Sequence, residues 1–445
     1  MKFRRYKMSE IATIAMSNVD KKTNEGETPV KLCNFVDVYR NWAITKDLIP
    51  SFMSATAKPQ EVERFTLSKG QVALTKDSET RDDIGIATYI ADNMDKVLLG
   101  YHCAVITPNS ALVDSKYLNA YMHSNIVHKY FENNASGSGQ RYTLSYNALL
   151  NIPVLLPDLE SQKEMGQIFS NIDRKIALNR QINDNLEAMA KQLYDYWFVQ
   201  FDFPDENGKP YKSNGGKMVW NECMKKSIPA DWKTSLLSEW IDYSLERVST
   251  SVVSDGDYYT PIEVIPRNKM SLSTTLPVEN AVSGLCRYKK KDILLSNRRV
   301  YFHKICLAPF DGLTRDTVMV LRPKHEENLG YIYETMFSDS FISYATKVSY
   351  GSLQPVLSWT EAQKYHVLTP AKNLSEKYGK LINGIIEKVL SSQMEIIQLT
   401  KQRDELLPLL MNGQATVNYH LSFGILFVNL FLNSQNIDIW QQKIY

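Results

Sequence analysis

The chain has 445 residues, more than one compact domain usually holds, and 44% of them are hydrophobic, enough to bury several cores. Lys and Arg outnumber Asp and Glu by only two, 51 against 49. A protein that depends on non-specific phosphate contacts is normally far more basic, so any nucleic-acid binding must come from local patches.

Cysteine usage and hydropathy indicate the compartment. The five cysteines are odd in number and form no CxxC pair, which argues against a disulfide framework and a zinc site. The N-terminus lacks the apolar run of a signal peptide, and the apolar stretch at residues 421–432 is shorter than the roughly 20 residues of a membrane span. We therefore expect a cytoplasmic protein with no membrane partner.

The same series of sequence features occurs twice along the chain. Five features recur in the same order: an aromatic-led opening, a strand-like run, an apolar run ending in proline, a Tyr/Met/Ser segment and a Gly-Ser motif. They occupy residues 6–11, 69–75, 104–108, 117–124 and 137–145 in the first copy, and residues 232–240, 290–296, 319–323, 331–338 and 351–358 in the second. Five matches in one order predict an internal duplication.

Each copy ends in a long helical pattern. In residues 159–199, after Pro157, apolar residues recur at three- and four-residue steps, interrupted by Asn179. The pattern returns in residues 374–410, after Pro370. Heptad-like spacing after a helix-starting proline predicts two long helices with apolar seams.

These elements predict an α+β fold made of two mixed α/β domains in tandem, each followed by a long helix. Between the copies, the many prolines and glycines predict a loop. The predicted segments are a first globular domain (1–157), a first helix (158–201), a linker (202–231), a second globular domain (232–370), a second helix (371–413) and a C-terminal tail of unknown role (414–445).

Several short motifs then point to one family. They are Ile-Pro at residues 152–153 leading to Pro157, Glu-Ser-Gln-Lys at 160–163, Ile-Asp-Arg-Lys-Ile at 172–176, Leu-Glu-Ala-Met-Ala at 186–190, Tyr-Trp-Phe-Val at 196–199, Ile-Pro-Ala-Asp-Trp at 228–232 and Arg-Asp-Glu-Leu-Leu-Pro-Leu-Leu-Met-Asn-Gly at 403–413. With these motifs the chain resembles the specificity (S) subunits of type I restriction-modification enzymes over roughly residues 5–416. It departs from the family in its tail, where residues 422–428 are apolar.

The resemblance implies a non-catalytic, sequence-specific DNA-binding subunit. Its two globular domains would be target recognition domains that each bind one half of a split double-stranded DNA site. The helices would pack as an antiparallel coiled coil that docks two methyltransferase (M) subunits and the restriction/translocase (R) subunits. S-adenosylmethionine, ATP and Mg would belong to those partners, with no cofactor and no metal in this chain.

Two loops of each copy supply the candidate DNA contacts. Arginine can bind guanine edges, asparagine suits adenine, and lysine neutralises phosphate. A loop rich in lysine and arginine can instead be an ordinary solvated surface, and a Gly-Ser motif can instead be an ordinary turn. The candidates are Lys76, Arg81, Ser138, Gln140, Arg141 and Tyr142 in the first copy, and Lys291, Asn297, Arg298, Arg299, Tyr301, Lys304, Ser352 and Gln354 in the second.

The helices supply candidate interface residues, for partners or for each other. For Asn179 a register-setting role is favoured over a ligand role, and the aromatic residues at 194–203 suit packing or a partner interface better than base stacking. The candidates are Ile168, Ile172, Ile176, Asn179, Leu186, Met189, Trp197, Ile385, Ile396, Leu399 and Leu406.

Catalytic motifs are missing from the sequence: it has no HExxH metal site, no phosphate-binding loop of the GxxxxGK[ST] type and no [ND]PP[FY] tetrapeptide of amino-methyltransferases. We therefore expect no catalytic site. Two alternatives stay open, a helical adaptor that assembles proteins without recognising DNA and an undescribed enzyme.

Overall fold

The computed structural model describes residues 2–138, 141–254, 256–281 and 284–415. The described chain divides into two compact units, of which unit 1 holds the described residues up to Lys175 and those from Thr400 to Ala415, and unit 2 holds those within Ile176–Leu399. Each is described separately below.

Unit 1 opens with thirteen short strands and six helices. The strands are β1 Arg4–Lys7, β2 Ala12–Met16, β3 Thr28–Cys33, β4 Ala43–Ile44, β5 Met53–Ala57, β6 Val72–Thr75, β7 Asp77–Ser78, β8 Ala87–Ile90, β9 Val97–Leu99, β10 Cys103–Pro108, β11 Ser136–Ser138, β12 Arg141–Thr143 and β13 Pro153–Leu156. The helices are α1 Met8–Ile11, α2 Phe35–Arg40, α3 Pro59–Phe65, α4 Ser115–Met122, α5 Asn125–Asn134 and α6 Tyr146–Leu150.

The strands of unit 1 form one central sheet and three smaller ones. The central sheet has the order β2-β10-β6-β8-β4, beside the sheets β5-β3-β9, β11-β12-β7 and β1-β13. Strand β6 is buried along its whole length, as a strand covered on both faces should be. The main core gathers the buried aromatic residues Tyr117, Tyr121, Phe131 and Phe169 around this sheet.

The long helix α7, Leu159–Tyr194, begins in unit 1 and is continued by a π-helical turn, Asp195–Val199.

Unit 2 then contains eleven strands and four helices. The strands are β14 Met218–Asn221, β15 Lys226–Pro229, β16 Lys233–Leu236, β17 Ile241–Ser244, β18 Arg247–Val248, β19 Leu285–Tyr288, β20 Ile293–Ser296, β21 Ile305–Leu307, β22 Gly312–Arg315, β23 Val318–Pro323 and β24 His366–Thr369. The helices are α8 Leu329–Phe337, α9 Asp339–Val348, α10 Trp359–Ala362 and α11 Lys372–Met411, of which the residues from Thr400 belong to unit 1.

Unit 2 repeats the plan of unit 1. Its central sheet has the order β17-β23-β20-β21, beside the sheets β18-β19-β22, β16-β24 and β14-β15. The antiparallel pair β16-β24 corresponds to β1-β13, and β17-β23-β20 corresponds to β2-β10-β6. Strand β20 is fully buried, like β6.

Equivalent hydrogen bonds support the duplication. The buried Tyr117 hydroxyl donates to the Leu155 carbonyl over 2.6 Å, and the buried Tyr331 hydroxyl donates to the Leu368 carbonyl over the same distance. Ser145 and Ser358 both cap the short helix that follows them. The α+β fold with tandem domains is confirmed.

The predicted antiparallel helix pair is confirmed within unit 2. There Asn179 on α7 donates to Glu395 on α11 over 2.8 Å, and Asn183 faces Gln393 at 3.5 Å. Residue numbers rise along one helix as they fall along the other, so the helices run in opposite directions. Asn179, Asn183 and Gln393 are all buried, so the seam contains a polar layer of the kind that fixes the register of coiled coils.

The apolar spacing alone misplaces part of the seam. Met189, a candidate for the helix seam or for a partner interface, is 56% exposed and lies outside the buried helix seam, so the partner role stays a prediction for it. The fully buried Ala190 and the buried Asn183 belong to the seam, because the 3.5-residue period runs through 176, 179, 183, 186 and 190. Counting only large apolar residues overlooked the small and polar members.

Residues 202–231, predicted to be a loop, contain the hairpin β14-β15. Its strands bury Ile228 and pack Met218 on the unit 2 core, where Phe203 stacks on Trp232 with ring centroids 5.1 Å apart. The loop interpretation is wrong for this part, because the prolines and glycines mark the turns around the hairpin.

Candidate functional site

In unit 1 the backbone brings both candidate loops together. The Lys76 amide donates to the His102 carbonyl over 2.9 Å, and the Leu144 amide donates to the Lys76 carbonyl over 2.8 Å. The hairpin β11-β12 extends this contact, since β12 pairs with β7. Gly137 is needed in that hairpin: its φ is +149°, and a Cβ there would lie 2.1 Å from the Arg141 carbonyl oxygen.

Asp77 lies at the centre of the unit 1 cluster. Its carboxylate is 2.6 Å from His102 Nδ1 and 3.3 Å from Lys76 Nζ. Burial raises the pKa of Asp77, but hydrogen bonds from Thr143 and His102 and the charge of Lys76 lower it more, so the pKa lies below its ordinary value. The carboxylate therefore stays charged and holds the cationic groups in place.

The Arg141 guanidinium is the open end of this cluster. It lies 3.3 Å from His102 Nδ1, and the Arg141 side chain is 67% exposed. His102 Nδ1 has one bonding position, and the closer Asp77 occupies it. The guanidinium is thus left with donors for an external acceptor.

Arg81 and Tyr142 complete the surface. The Arg81 guanidinium carbon lies 5.1 Å from the centroid of the Tyr142 ring, a cation–π contact that orients an otherwise exposed arginine. Beside them is an open cleft of about 410 Å³, lined by Lys76, Asp77, Tyr101, Ser136, Gly137, Arg141 and Thr143. The structure thus brings together four candidates of the first copy: Lys76, Arg81, Arg141 and Tyr142.

Unit 2 places its candidate loops by the same backbone contacts. The Asn297 amide donates to the Thr317 carbonyl over 3.0 Å, and the Leu357 amide donates to the Asn297 carbonyl over 2.9 Å. These two bonds are the counterparts of those at Lys76. Asn297 therefore occupies the place of Lys76, with the Gly351–Gln354 turn in the place of the β11-β12 hairpin.

The side chains at these equivalent places differ. Arg298 and Tyr301 are exposed, as are Ser352 and Gln354. Arg299 is left-handed (φ +48°); its amide donates to the Pro355 carbonyl over 2.8 Å and its guanidinium lies 3.4 Å from the Leu353 carbonyl. Arg299 therefore supports the loop, while Arg298 is free to contact a ligand.

Two second-copy candidates lie apart from this loop. Lys291 precedes β20, at the end opposite to Asn297, and forms ion pairs with Glu326 and Glu387. The Lys304 ammonium donates to the Ile262 carbonyl over 2.8 Å, and burial lowers its pKa. Both contacts favour a structural role for these lysines.

Some candidate residues lie outside the part of the chain that the structure describes. Gln140 lies outside the described residues, as does the side chain of Ser138. The same holds for the predicted tail beyond residue 415, whereas Ala415 itself is buried in the main core of unit 1.

Besides Asp77, the sequence analysis missed three residues beside these loops. Tyr101 and His102, with ring centroids 3.7 Å apart, line the unit 1 cluster, and in unit 2 the Arg267 guanidinium lies 4.1 Å from the Phe302 ring centroid. The repeat contained a signal for the first two, since they align with Asp316 and Thr317 just before the second apolar run.

The helix candidates form two groups. Ile168, Ile176, Asn179, Trp197 and Ile396 are buried, and Ile172, Leu186, Ile385, Leu399 and Leu406 are half-buried. The aromatic residues after α7 pack within unit 2, with Phe198 and Tyr378 edge to face at 4.7 Å. That packing agrees with the structural interpretation of the aromatic cluster.

Both loop surfaces are thus open patches of arginine, amide, hydroxyl and aromatic groups. Within the described residues, no group of three or more His, Cys, Asp or Glu is placed to hold a metal ion. Nor does any described helix combine the length and apolarity that crossing a bilayer takes. These patches can donate hydrogen bonds to anionic or polar acceptors.

Comparison with known proteins shows which family this chain is similar to. Residues 3–188 match the family model of the type I restriction modification DNA specificity domain. The chain is 24% identical over 398 residues to the type I restriction enzyme HindI specificity subunit of Haemophilus influenzae, a match covering 76% of this chain and 85% of that protein. The chain is thus similar to type I specificity subunits over most of its length, and its residues 3–188 match their domain model.

Further relatives agree with this assignment. The type I restriction enzyme MjaIX specificity subunit of Methanocaldococcus jannaschii is 24% identical over 373 residues, covering 78% of each protein. In fold, the chain resembles the crystal structure of a type I restriction-modification S subunit from M. genitalium, with a TM-score of 0.52, 13% identity and coverage of 92% of this chain and 96% of that one. The resemblance inferred from the motifs is confirmed, and the curated names agree with a non-catalytic subunit.

Proposed function

We propose that this specificity-subunit homologue recognises a bipartite DNA target, with one half-site bound by each unit. The observation that carries the proposal is the matched pair of backbone contacts at Lys76 and Asn297, which present different side chains from one scaffold. A tandem repeat with dissimilar loops gives one chain two related binding surfaces of different specificity.

The side chains suit DNA recognition. In unit 1, Arg81 and Arg141 offer guanidinium groups that fit guanine edges or phosphates, and Tyr142 orients Arg81. In unit 2, Arg298 offers an exposed guanidinium, and exposed Ser352 and Gln354 offer a hydroxyl and an amide. Because the chain is nearly neutral overall, specificity would come from these local groups and not from its net charge.

A DNA competition experiment tests this function. The subunit, together with its methyltransferase, should retard duplexes that contain its target at concentrations where random duplexes of equal length do not compete. Arg298→Ala should weaken specific binding by about 1–3 kcal/mol for a lost base contact. Equal binding to specific and random duplexes would instead favour the adaptor alternative.

We also propose that helices α7 and α11 dock the methyltransferase (M) and restriction (R) subunits, which would carry the S-adenosylmethionine, ATP and Mg. Leu178 and Met189 are exposed by 50% and 56%, and their spacing of eleven residues puts them on one face of α7. Tyr196, 38% exposed, follows in the π-helical turn, and the exposed Asn185 and Gln192 lie between these apolar side chains. Large apolar side chains that are exposed among polar ones on one helix face are typical of protein interfaces.

Co-purification tests the docking surface. Met189→Asp should reduce recovery of the methyltransferase without changing the fold, because the residue is exposed. Ala177→Asp is the matched control, since Ala177 is also exposed but lies about a third of a turn away at 100° per residue. Equal recovery with both variants would exclude this face as the docking surface.

A further inference from the structure

A second cavity lies within unit 2, away from the candidate DNA-binding loops. It has a volume of about 380 Å³, inside the roughly 300–1,000 Å³ range of small-molecule sites. Five parts of the chain supply its lining: helix α7, the loop before β19, the residue that precedes Lys304, helix α8 and helix α9. The lining residues are Asp184, Glu187, Ala188, Lys191, Asn268, Lys269, Met270, His303, Tyr333, Glu334, Phe337 and Asp339.

Acidic side chains outnumber basic ones in the lining of the cavity. Four carboxylates line it, against two ammonium groups. Lys269 is paired with Asp184 over 2.5 Å, and Lys191 is paired over 2.7 Å with Asp195, which is not part of the lining. Glu187, Glu334 and Asp339 therefore face the cavity without an ion pair of their own among the described residues.

Two buried polar groups point to a missing partner. Glu334 is only 3% exposed, yet no described residue forms a hydrogen bond or ion pair with its carboxylate. The neighbouring Tyr333 is 1% exposed, and its hydroxyl has no hydrogen-bond partner among the described residues. Buried polar groups are normally satisfied, and leaving one unsatisfied is costly.

We infer that this cavity binds an organic cation, a primary ammonium or guanidinium group, between Glu334 and Glu187. The alkyl part of such a ligand would lie against the apolar lining of Met270 and Phe337. An organic cation fits better than a metal ion, because the described residues hold no group of three His, Cys, Asp or Glu placed for metal coordination.

The protonation of the two glutamates is consistent with an unfilled cation site. Burial raises the pKa of Glu334 to about 8, with the charges of Asp195 and Glu187 adding to the effect and that of Lys191 opposing it. Burial likewise raises the pKa of Glu187 to about 7, opposed by Lys269. His303 stays neutral, because burial lowers its pKa.

A bound cation would favour the charged carboxylates and so release protons. Both glutamates are partly protonated near pH 7, and a cation must displace those protons. Affinity should therefore increase as the pH rises from 6 through about 8 and then level off, while the amine stays protonated.

Isothermal titration calorimetry of the full chain tests the inference with two probes. Putrescine represents a diffusible dication, and n-butylamine represents the end of a lysine side chain from a protein partner. We expect saturable binding at pH 8 that is at least ten-fold weaker in Glu334→Gln. Glu279→Gln, which removes an exposed carboxylate elsewhere in unit 2, should bind like the unaltered chain.

The outcomes separate the sources of the cation and can overturn the inference. Putrescine binding at least ten-fold more tightly than butylamine would indicate a diffusible diamine, and comparable affinities would indicate a side chain from a partner. Absence of saturable binding by either probe would overturn the inference, as would equal affinity in Glu334→Gln and the unaltered chain. Buffers of different ionisation enthalpy should report proton release at pH 7, and its absence would place the cation away from Glu334.

Discussion

Units 1 and 2 share one backbone arrangement but differ in the chemistry that it presents. At the end of the buried strand, unit 1 has Lys76 and unit 2 has Asn297, each held by the same two amide–carbonyl bonds. In unit 1 the cationic side chains lie around the charged Asp77. In unit 2 the backbone of Arg299 is left-handed, and this residue contacts the neighbouring turn. The comparison teaches that one backbone scaffold can present different side chains at equivalent places.

The units also differ in their buried ionisable groups. Unit 1 holds His123 against Trp42 with ring centroids 4.3 Å apart, and burial lowers the pKa of His123 to about 3, with Arg403 adding to the effect. Unit 2 holds Glu334, whose pKa burial raises to about 8. The two units should therefore respond to pH in opposite directions.

The largest effect is expected at Glu334. Its pKa is higher in the folded than in the unfolded chain, so the folded state binds more protons between pH 4.5 and about 8, and unit 2 loses stability as pH rises through that window. Glu334→Gln should raise the free energy of unfolding at pH 8 by about 2–5 kcal/mol, with little change at pH 4.5. Urea unfolding at both pH values measures it, and an equal effect at both would contradict the burial of a titrating carboxyl.

His123 should give the opposite dependence in unit 1. Its pKa is lower in the folded chain, so the unfolded state binds more protons below pH 6.5, and stability is lost as the pH falls from 6.5 towards 3. His123→Gln should reduce that loss by about 1–3 kcal/mol at pH 4. If acid destabilises the variant as much as the unaltered chain, His123 is not the group that titrates.

Tyrosine hydroxyls test whether the scaffolds are equivalent. Tyr117→Phe and Tyr331→Phe each leave a strand carbonyl without its donor, at a cost of about 1–3 kcal/mol. We expect similar costs, each confined to its own unit. Hydrogen exchange followed by mass spectrometry localises the loss, and loosening of both units by one variant would break the comparison.

The smallest effect concerns backbone conformation at the loops. Arg299 is left-handed, whereas Ser78, the corresponding residue of unit 1, lies in strand β7. The free energy of unfolding should be about 1–2 kcal/mol lower for Arg299→Thr than for Arg299→Gly, because glycine adopts a left-handed conformation more easily. Ser78→Thr should be at least as stable as Ser78→Gly, because threonine is favoured in strands. Thermal unfolding of the four variants measures this difference, and the same preference at both positions would remove the distinction between the loops.

The sequence was sufficient for the fold, but the proximity of the paired loops became visible only in the structure. The order of repeated motifs predicted two similar domains, and the apolar steps predicted both long helices. Met189 lies outside the helix seam, because the spacing of large apolar residues cannot show that Asn183 and Ala190 fill it. The hairpin at 218–229 was missed because the prolines and glycines around it predict only a loop. The Asp77 cluster was missed because its partner His102 is 25 residues away and is brought near only by sheet pairing.

The cavity around Glu334 was also beyond the sequence. Glu187 and Glu334 come from helices that are far apart along the chain, and neither belongs to a motif with ligand spacing. Burial of Glu334 depends on how α8 packs, which the sequence does not reveal. Charged residues on a helical pattern ordinarily predict a solvated face.

The most direct test of the central claim is a map of methylated adenines in cells carrying the subunit and its methyltransferase. Arg298→Ala is expected to relax recognition only in the half-site bound by unit 2, and Arg141→Ala only in the other half-site, since each arginine is exposed on a separate unit. Uniform loss of methylation across both half-sites in either variant, or a single undivided target, would contradict recognition of one half-site by each unit.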